Sequence, residues 1–305
     1  MRNQQADLLR SLIGRRRLDK LFSIIFFGAT LVSTITLIVI FVTLSYESAL
    51  FFTHVSIVEF LTGTQWTVLF ADKHFGILPL LNATILTSVI AILIAAPVGI
   101  AIAVYLSEYA KEGVRAVAKP VVETLAGIPT VIYGYFALYF VTPTVLKAFW
   151  QDLQVHNALA VGIMIGVLII PIVTSISDDA MKAVPYDLKL AAYSLGSRKI
   201  DVTFRVIVPA ALSGIIAAIL LAFARAMGET MIAAIAGGFR PILSFDLGES
   251  MQTMTSFIAQ VATGDAPHGT IEYESLFAVG LFLLLITAVF NFIGIRVVRR
   301  WAIRY

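Results

Sequence analysis

Cysteine is absent from the 305-residue sequence, which excludes disulfides and thiolate metal sites. Charge is scarce: 13% of residues are Asp, Glu, Lys or Arg, about half the share of a soluble domain. No glycine precedes a lysine, so there is no Walker-type phosphate loop. No two glycines are separated by a single residue, so there is no dinucleotide fingerprint, and no His-Glu-x-x-His occurs. The four histidines, His54, His74, His156 and His268, are scattered through segments read as external loops. The chain is therefore expected to bind no cofactor and no metal of its own. Nucleic acid is not an expected partner. Net charge is +3, and the basic residues flank apolar runs, where anionic lipid headgroups are the natural contact.

What is present is apolar. Hydrophobic residues make up 59% of the chain, and mean hydropathy is +0.92. Uncharged runs occupy 21–46, 75–107, 124–146, 153–177 and 275–295, with a further one at 206–239 interrupted only by Arg225 and Glu229. A hydrocarbon core of ~30 Å takes about 20 helical residues, and lipid forces each segment to satisfy its own backbone. The expectation is an all-α membrane protein of six transmembrane helices. The first run follows Arg15, Arg16, Arg17 and Lys20 but is too long for a signal-peptide core, so it reads as a retained helix. Eighteen of the 22 Lys and Arg residues fall at the two termini and in the 109–120 and 178–205 loops. Lys73, Lys147 and Arg240 lie in the other loops. This asymmetry predicts both termini in the cytoplasm. Residues 1–20 form a cytoplasmic segment, and 21–305 a single transmembrane domain.

Smaller signals qualify the pattern. Ser56-Ile57-Val58-Glu59 fits a capping box, and Gly63 a helix end. Phe51, Phe52, Phe60 and Trp66 suggest an aromatic belt at the outer interface. Gly162 and Gly166 suit close helix packing. Pro97, Pro129 and Pro171 mark expected bends. Asp178 and Asp179 read as a polar anchor at a helix end rather than a two-carboxylate site.

Two stretches carry chemistry. In the 184–208 loop, Pro185 breaks the chain, and Tyr186-Asp187 starts a helix with an acidic residue in its first turn. That helix runs past Ala191, Ala192, Tyr193 and Leu195, and Gly196 suits the left-handed turn that ends it. A second helix over 197–206 and Pro209 in the first turn of the next span complete the unit. So long an ordered loop is costly without a partner. The second stretch is Ala224-Arg225-Ala226-Met227-Gly228-Glu229-Thr230-Met231. Arg225 and Glu229 are four apart, on one predicted helix face, and can pair. Intramembrane ionisable residues read first as functional, and a guanidinium matches a tetrahedral oxyanion. A purely structural pair remains the alternative.

Ala191-Ala192, three residues, Gly196, nine residues and Val206-Ile207-Val208-Pro209 resemble the EAA loop of type I ABC-importer permeases, with Leu190 in place of the usual glutamate. Phe75-Gly76-Ile77-Leu78-Pro79-Leu80, Leu125-Ala126-Gly127-Ile128-Pro129-Thr130-Val131-Ile132-Tyr133-Gly134, the arginine–glutamate stretch and Gly264-Asp265-Ala266-Pro267-His268-Gly269 narrow this to the PstC-type permeases of bacterial high-affinity phosphate importers. The resemblance implies an importer core over about residues 75–300 in a bacterial inner membrane. It implies a substrate path at Arg225, Glu229 and Thr230, with Thr130 and Tyr133 nearby, and an ATPase-coupling helix from Tyr186 to Gly196. The implied partners are a PstA-like second permease, a PstB-like ATPase dimer carrying ATP and Mg, and a PstS-like periplasmic phosphate-binding protein. The chain itself would not be an enzyme. Another oxyanion (molybdate, sulfate, phosphonate) and an ion-coupled secondary transporter are the competing expectations.

Overall fold

The computed structural model describes the backbone of residues 2–301 and the side chains of 19–300, Asp265 excepted. The basic front at Arg15–Arg17 and the last residues of the C-terminal tail therefore lie outside the described side chains. Among the described residues the regular structure is helical, apart from one isolated antiparallel bridge between Trp66 and Phe75, and irregular segments such as 238–253 connect the helices.

Four helices are long and apolar enough to cross a membrane: 19–54 within α1 (Arg2–His54), α3 (Leu78–Val104) with the π-helical turn Tyr105–Tyr109 that extends it, α6 (Ala158–Lys182), and α12 (Ile271–Trp301). Two bent pairs bring the number to six if each is counted as one broken span. The first is α4 (Glu112–Gly127) with α5 (Thr130–Phe136) and its π-helical continuation Ala137–Leu146, bent by 85°. In the second, the segment 199–210 meets α10 (Leu212–Met227) at 66°. The six expected apolar segments thus correspond to four unbroken helices and two sharply bent pairs. Pro129 stands at the first break, whereas Pro97 and Pro171 lie inside α3 and α6 without interrupting them.

The centre is α6, whose most apolar stretch is 67% buried. It packs along α3, and glycine sets their separation. A Cβ on Gly162 would lie 2.5 Å from Ile90 Cβ, one on Gly166 would lie 3.1 Å from the Ala91 carbonyl, and one on Gly99 would lie 2.8 Å from Val173 Cβ. Small residues let two backbones approach in lipid, where dispersion replaces the hydrophobic effect as the cause of helix association. Asn157 starts α6 by accepting from the Ala160 amide at 2.7 Å and donating to Thr142 Oγ1 at 3.1 Å. Such a cap is worth about 1 kcal/mol. By contrast, α1 is exposed from residue 19 through Val42 save for half-buried Gly28, and its burial begins at Ser48.

The segment between α1 and α3 departs from expectation. Phe51, Phe60 and Trp66 are buried and meet edge to face in one cluster with Phe75 and Phe257, while Phe52 is half-buried at its edge. They form a core, not an interfacial belt, because Phe60 of α2 (Ile57–Thr62) and its neighbours pack against Met254, Phe257, Ala278 and Val279 from the far end of the chain. Ser56 caps α2 through the Val58 amide, without the reciprocal Glu59 arm of a capping box. Gly63 ends α2 at a negative φ of −64°. Its lack of a side chain serves the crossing with Gly76, whose Cα would lie 2.7 Å from a Gly63 Cβ.

Candidate substrate path and coupling surface

Expected as one continuous span, 206–239 is broken at Gly228. The α10 helix stops at Met227, and Gly228-Glu229-Thr230 is non-helical before the chain turns helical again toward Gly237. Arg225 and Glu229 are therefore not stacked on one helix. Glu229 instead folds back from beyond the helix end, and its Oε2 accepts from Arg225 Nη1 at 2.8 Å. Its Oε1 accepts from the Ile232 amide at 3.4 Å, and its backbone carbonyl accepts from Thr255 Oγ1 at 2.8 Å. The Glu229 side chain is 3% exposed and that of Arg225 42%. The pair thus anchors an exposed cation on a buried, fixed anion. Thr230, half-buried, turns its hydroxyl toward the Gly228 carbonyl at 3.4 Å.

Arg225 lies at the edge of an apolar groove of about 460 Å³ between α4, α6 and α10, with Leu221, Pro171 and Ala126 among its walls. Glu123 and Ser175 line the same groove and are joined by a hydrogen bond of 3.1 Å. Sequence reasoning placed Glu123 only at the margin of a run. Its spacing of four from Lys119 was a signal that it shares a helix face with the basic residues of α4. Neither Thr130 nor Tyr133 is among the residues lining this groove. Thr130 opens α5 just after the bend, and the Tyr133 hydroxyl donates to the Leu125 carbonyl at 2.8 Å, bracketing the 85° turn. Their helix packs on the segment that follows Glu229, where a Cβ on Gly134 would lie 3.2 Å from the Met231 carbonyl.

The 184–208 loop forms α7 (Tyr186–Ser194), α8 (Lys199–Val202), a π-helical turn Thr203–Ile207 and the single turn α9 (Val208–Ala210). Gly196 has φ +77°, the left-handed conformation that its position demanded. Its amide donates to the Tyr193 carbonyl at 2.9 Å, and that of Ser197 donates to the Ala192 carbonyl at 3.3 Å. The second helix begins at Lys199 rather than Ser197, since Arg198 occupies the extended cap position. Pro209 lies in α9, before the 66° bend, and not in the first turn of α10. Leu188 and Ala192 pack against Val184, Val202 and Ile207, which holds the loop to the bundle. Tyr186, Asp187, Leu190, Ala191, Tyr193 and Leu195 are exposed, Leu195 to 86%. The two alanines thus divide: Ala191 faces out and Ala192 in. Partial burial raises the Tyr193 phenol above its ordinary pKa, with repulsion from Glu108, Tyr109 and Tyr186 adding to it. Among the described residues, no three His, Asp or Glu side chains converge as a metal-ligand set.

Comparison with known proteins fits this geometry. The chain is 34% identical over 236 residues to the probable ABC transporter permease protein YqgH of Bacillus subtilis, spanning 77% of this chain and 76% of that one. It is 34% identical over 247 residues to the phosphate transport system permease protein PstC of Mesorhizobium japonicum, spanning 75% and 74% respectively. In an inward-facing structure of the MetNI methionine ABC transporter, one chain shares the fold at a TM-score of 0.55 and 17% identity, over 74% of this chain and 94% of that one. Residues 95–303 match the binding-protein-dependent transport system inner membrane components, and the chain belongs to that family.

Proposed function

We propose that this chain is a permease subunit of an ATP-driven importer of inorganic phosphate. It is a multi-pass protein of the cytoplasmic membrane. The observation that carries the substrate is the exposed Arg225 guanidinium on its buried Glu229, in a chain 34% identical to a phosphate transport permease over 75% of its length. Phosphate presents oxygens to a planar donor fork that stays charged at any physiological pH. Glu229 offsets that charge while the path is empty and weakens the hold on an anion in transit. The exposed face of Tyr186, Leu190, Tyr193 and Leu195 supports a docking role toward an ATPase dimer, which carries the ATP and Mg. A second permease completes the path, and a binding protein delivers phosphate from the opposite face. Both termini and the coupling loop then lie in the cytoplasm.

The test is uptake by the assembled complex in proteoliposomes, with ATP enclosed and binding protein outside. Labelled phosphate should enter only with ATP, and excess sulfate or molybdate should not compete. Uptake driven by an ion gradient without ATP would overturn the importer reading. Preferential uptake of sulfate or molybdate would overturn the substrate.

A further inference from the structure

We infer that the π-helical turn Tyr105–Tyr109 is the junction through which the coupling loop moves the bundle, and that Glu108 and Lys189 position it. This rests on the importer reading above. Lys189, on α7, donates from Nζ to Glu108 Oε1 at 2.7 Å, and Ser107 Oγ donates to the same oxygen at 2.8 Å. The two charged side chains are 16% and 8% exposed. Lys199, on α8, sits 4.8 Å above the centre of the Tyr109 ring. Both helices of the coupling loop therefore grip one turn at the end of α3.

On its other side, the same turn is held by the bundle. Arg115 of α4 donates to the Leu106 carbonyl at 3.2 Å and to Asp178 Oδ2 of α6 at 2.7 Å. Lys119 and Lys182 reach that carboxylate oxygen at 3.3 Å each, and Asp178 is fully buried. From there α4 runs to Glu123, in the groove that Arg225 edges. Ion pairs on either side of the turn, the Arg115–Leu106 hydrogen bond that links them and α4, with Pro120 inside it, thus join the docking face to the substrate groove. Single π-helical turns are rare and occur frequently at functional sites, and this one ends α3 where the coupling loop meets it. The Glu108–Lys189 pair gives it a direction, because two largely buried charges resist being drawn apart.

A pair that merely supports the fold and a pair that transmits motion differ in one ratio, phosphate imported per ATP hydrolysed. We would measure it in the reconstituted complex for Glu108→Gln, Lys189→Met and the exchange Glu108→Lys with Lys189→Glu. Arg198→Gln, which breaks an exposed pair with Asp201 in the same loop, is the control. The single variants should assemble and hydrolyse ATP, with the ratio down about ten-fold, and the exchange should recover most of it. Arg198→Gln should leave the ratio unchanged. A parallel fall in hydrolysis and uptake at constant ratio, or no recovery in the exchange, would overturn the assignment. Should the single variants fail to assemble, Lys199→Leu decides: a lowered ratio supports the junction and a normal ratio overturns it. Absence of ATP-driven uptake by the unaltered complex would instead overturn the importer reading.

Discussion

Arg225 and Glu229 live in different surroundings, and that asymmetry sorts their roles. Glu229 is enclosed and held by three hydrogen bonds, two through its carboxylate and one through its backbone carbonyl, whereas the Arg225 side chain is 42% exposed. Arg225→Gln should abolish or severely reduce phosphate uptake while the complex still assembles. A unit charge ~4 Å away at an effective dielectric of about 20 is worth about 4 kcal/mol, ample to make the path repel an anion. Arg225→Lys keeps the charge and loses the fork, so partial uptake at most is expected. Near-normal uptake in Arg225→Gln with Glu229→Gln would show that the pair only joins segments and would remove Arg225 from the path. The pairing was legible in the sequence because two charges in an apolar run have few other partners. The break at Gly228 was not, because a glycine between two apolar stretches is equally at home inside a membrane helix. Asp178 was legible as an anchor, but not its complete burial, because its partners Arg115 and Lys119 arrive from a helix some sixty residues earlier in the chain.

Among the elements, the coupling loop was read most fully. Local signals fix it: Pro185 before the first turn, Asp187 within it and Gly196 after the last. At Gly196 the backbone is left-handed, and a Cβ there would meet nothing within 4 Å. Gly196→Val therefore perturbs the turn by backbone strain alone, roughly 1–2 kcal/mol, without overpacking. The spans should insert normally while α7 is misaimed, so ATPase co-purification and uptake should both fall. Normal values of both would refute the docking assignment. The aromatic segment was misread for the opposite reason. Phe51, Phe60 and Trp66 carry no local sign of what covers them, and their cover comes from α11 (Met254–Gln260) and α12, some two hundred residues away. The two bends were partly legible, since Pro129 marks one, while Ala211 gives no warning of the other.

At the scale of the whole molecule, the charge asymmetry predicts a topology that the absence of cysteine makes easy to measure. A thiol from Arg198→Cys should react with an impermeant reagent only from the cytosolic side, and one from Thr263→Cys only from outside. Both positions are exposed. Labelling of the two from the same face would refute the arrangement. Scarcity of another residue gives the molecule an optical property. Of three tryptophans, Trp66 is sealed from water with its indole nitrogen unpartnered, its ring 4.9 Å from that of Phe257, while Trp150 is 40% exposed. Trp66 should emit at short wavelength and resist acrylamide quenching. Phe257 shares α11 with Thr255, the residue that grips the Glu229 carbonyl. A rearrangement at the ion pair that shifts α11 against the loop bearing Trp66 would move one ring past the other. With Trp150 and Trp301 both replaced by phenylalanine, Trp66 is this chain's one remaining indole, and its fluorescence would then follow the transport cycle with no label attached.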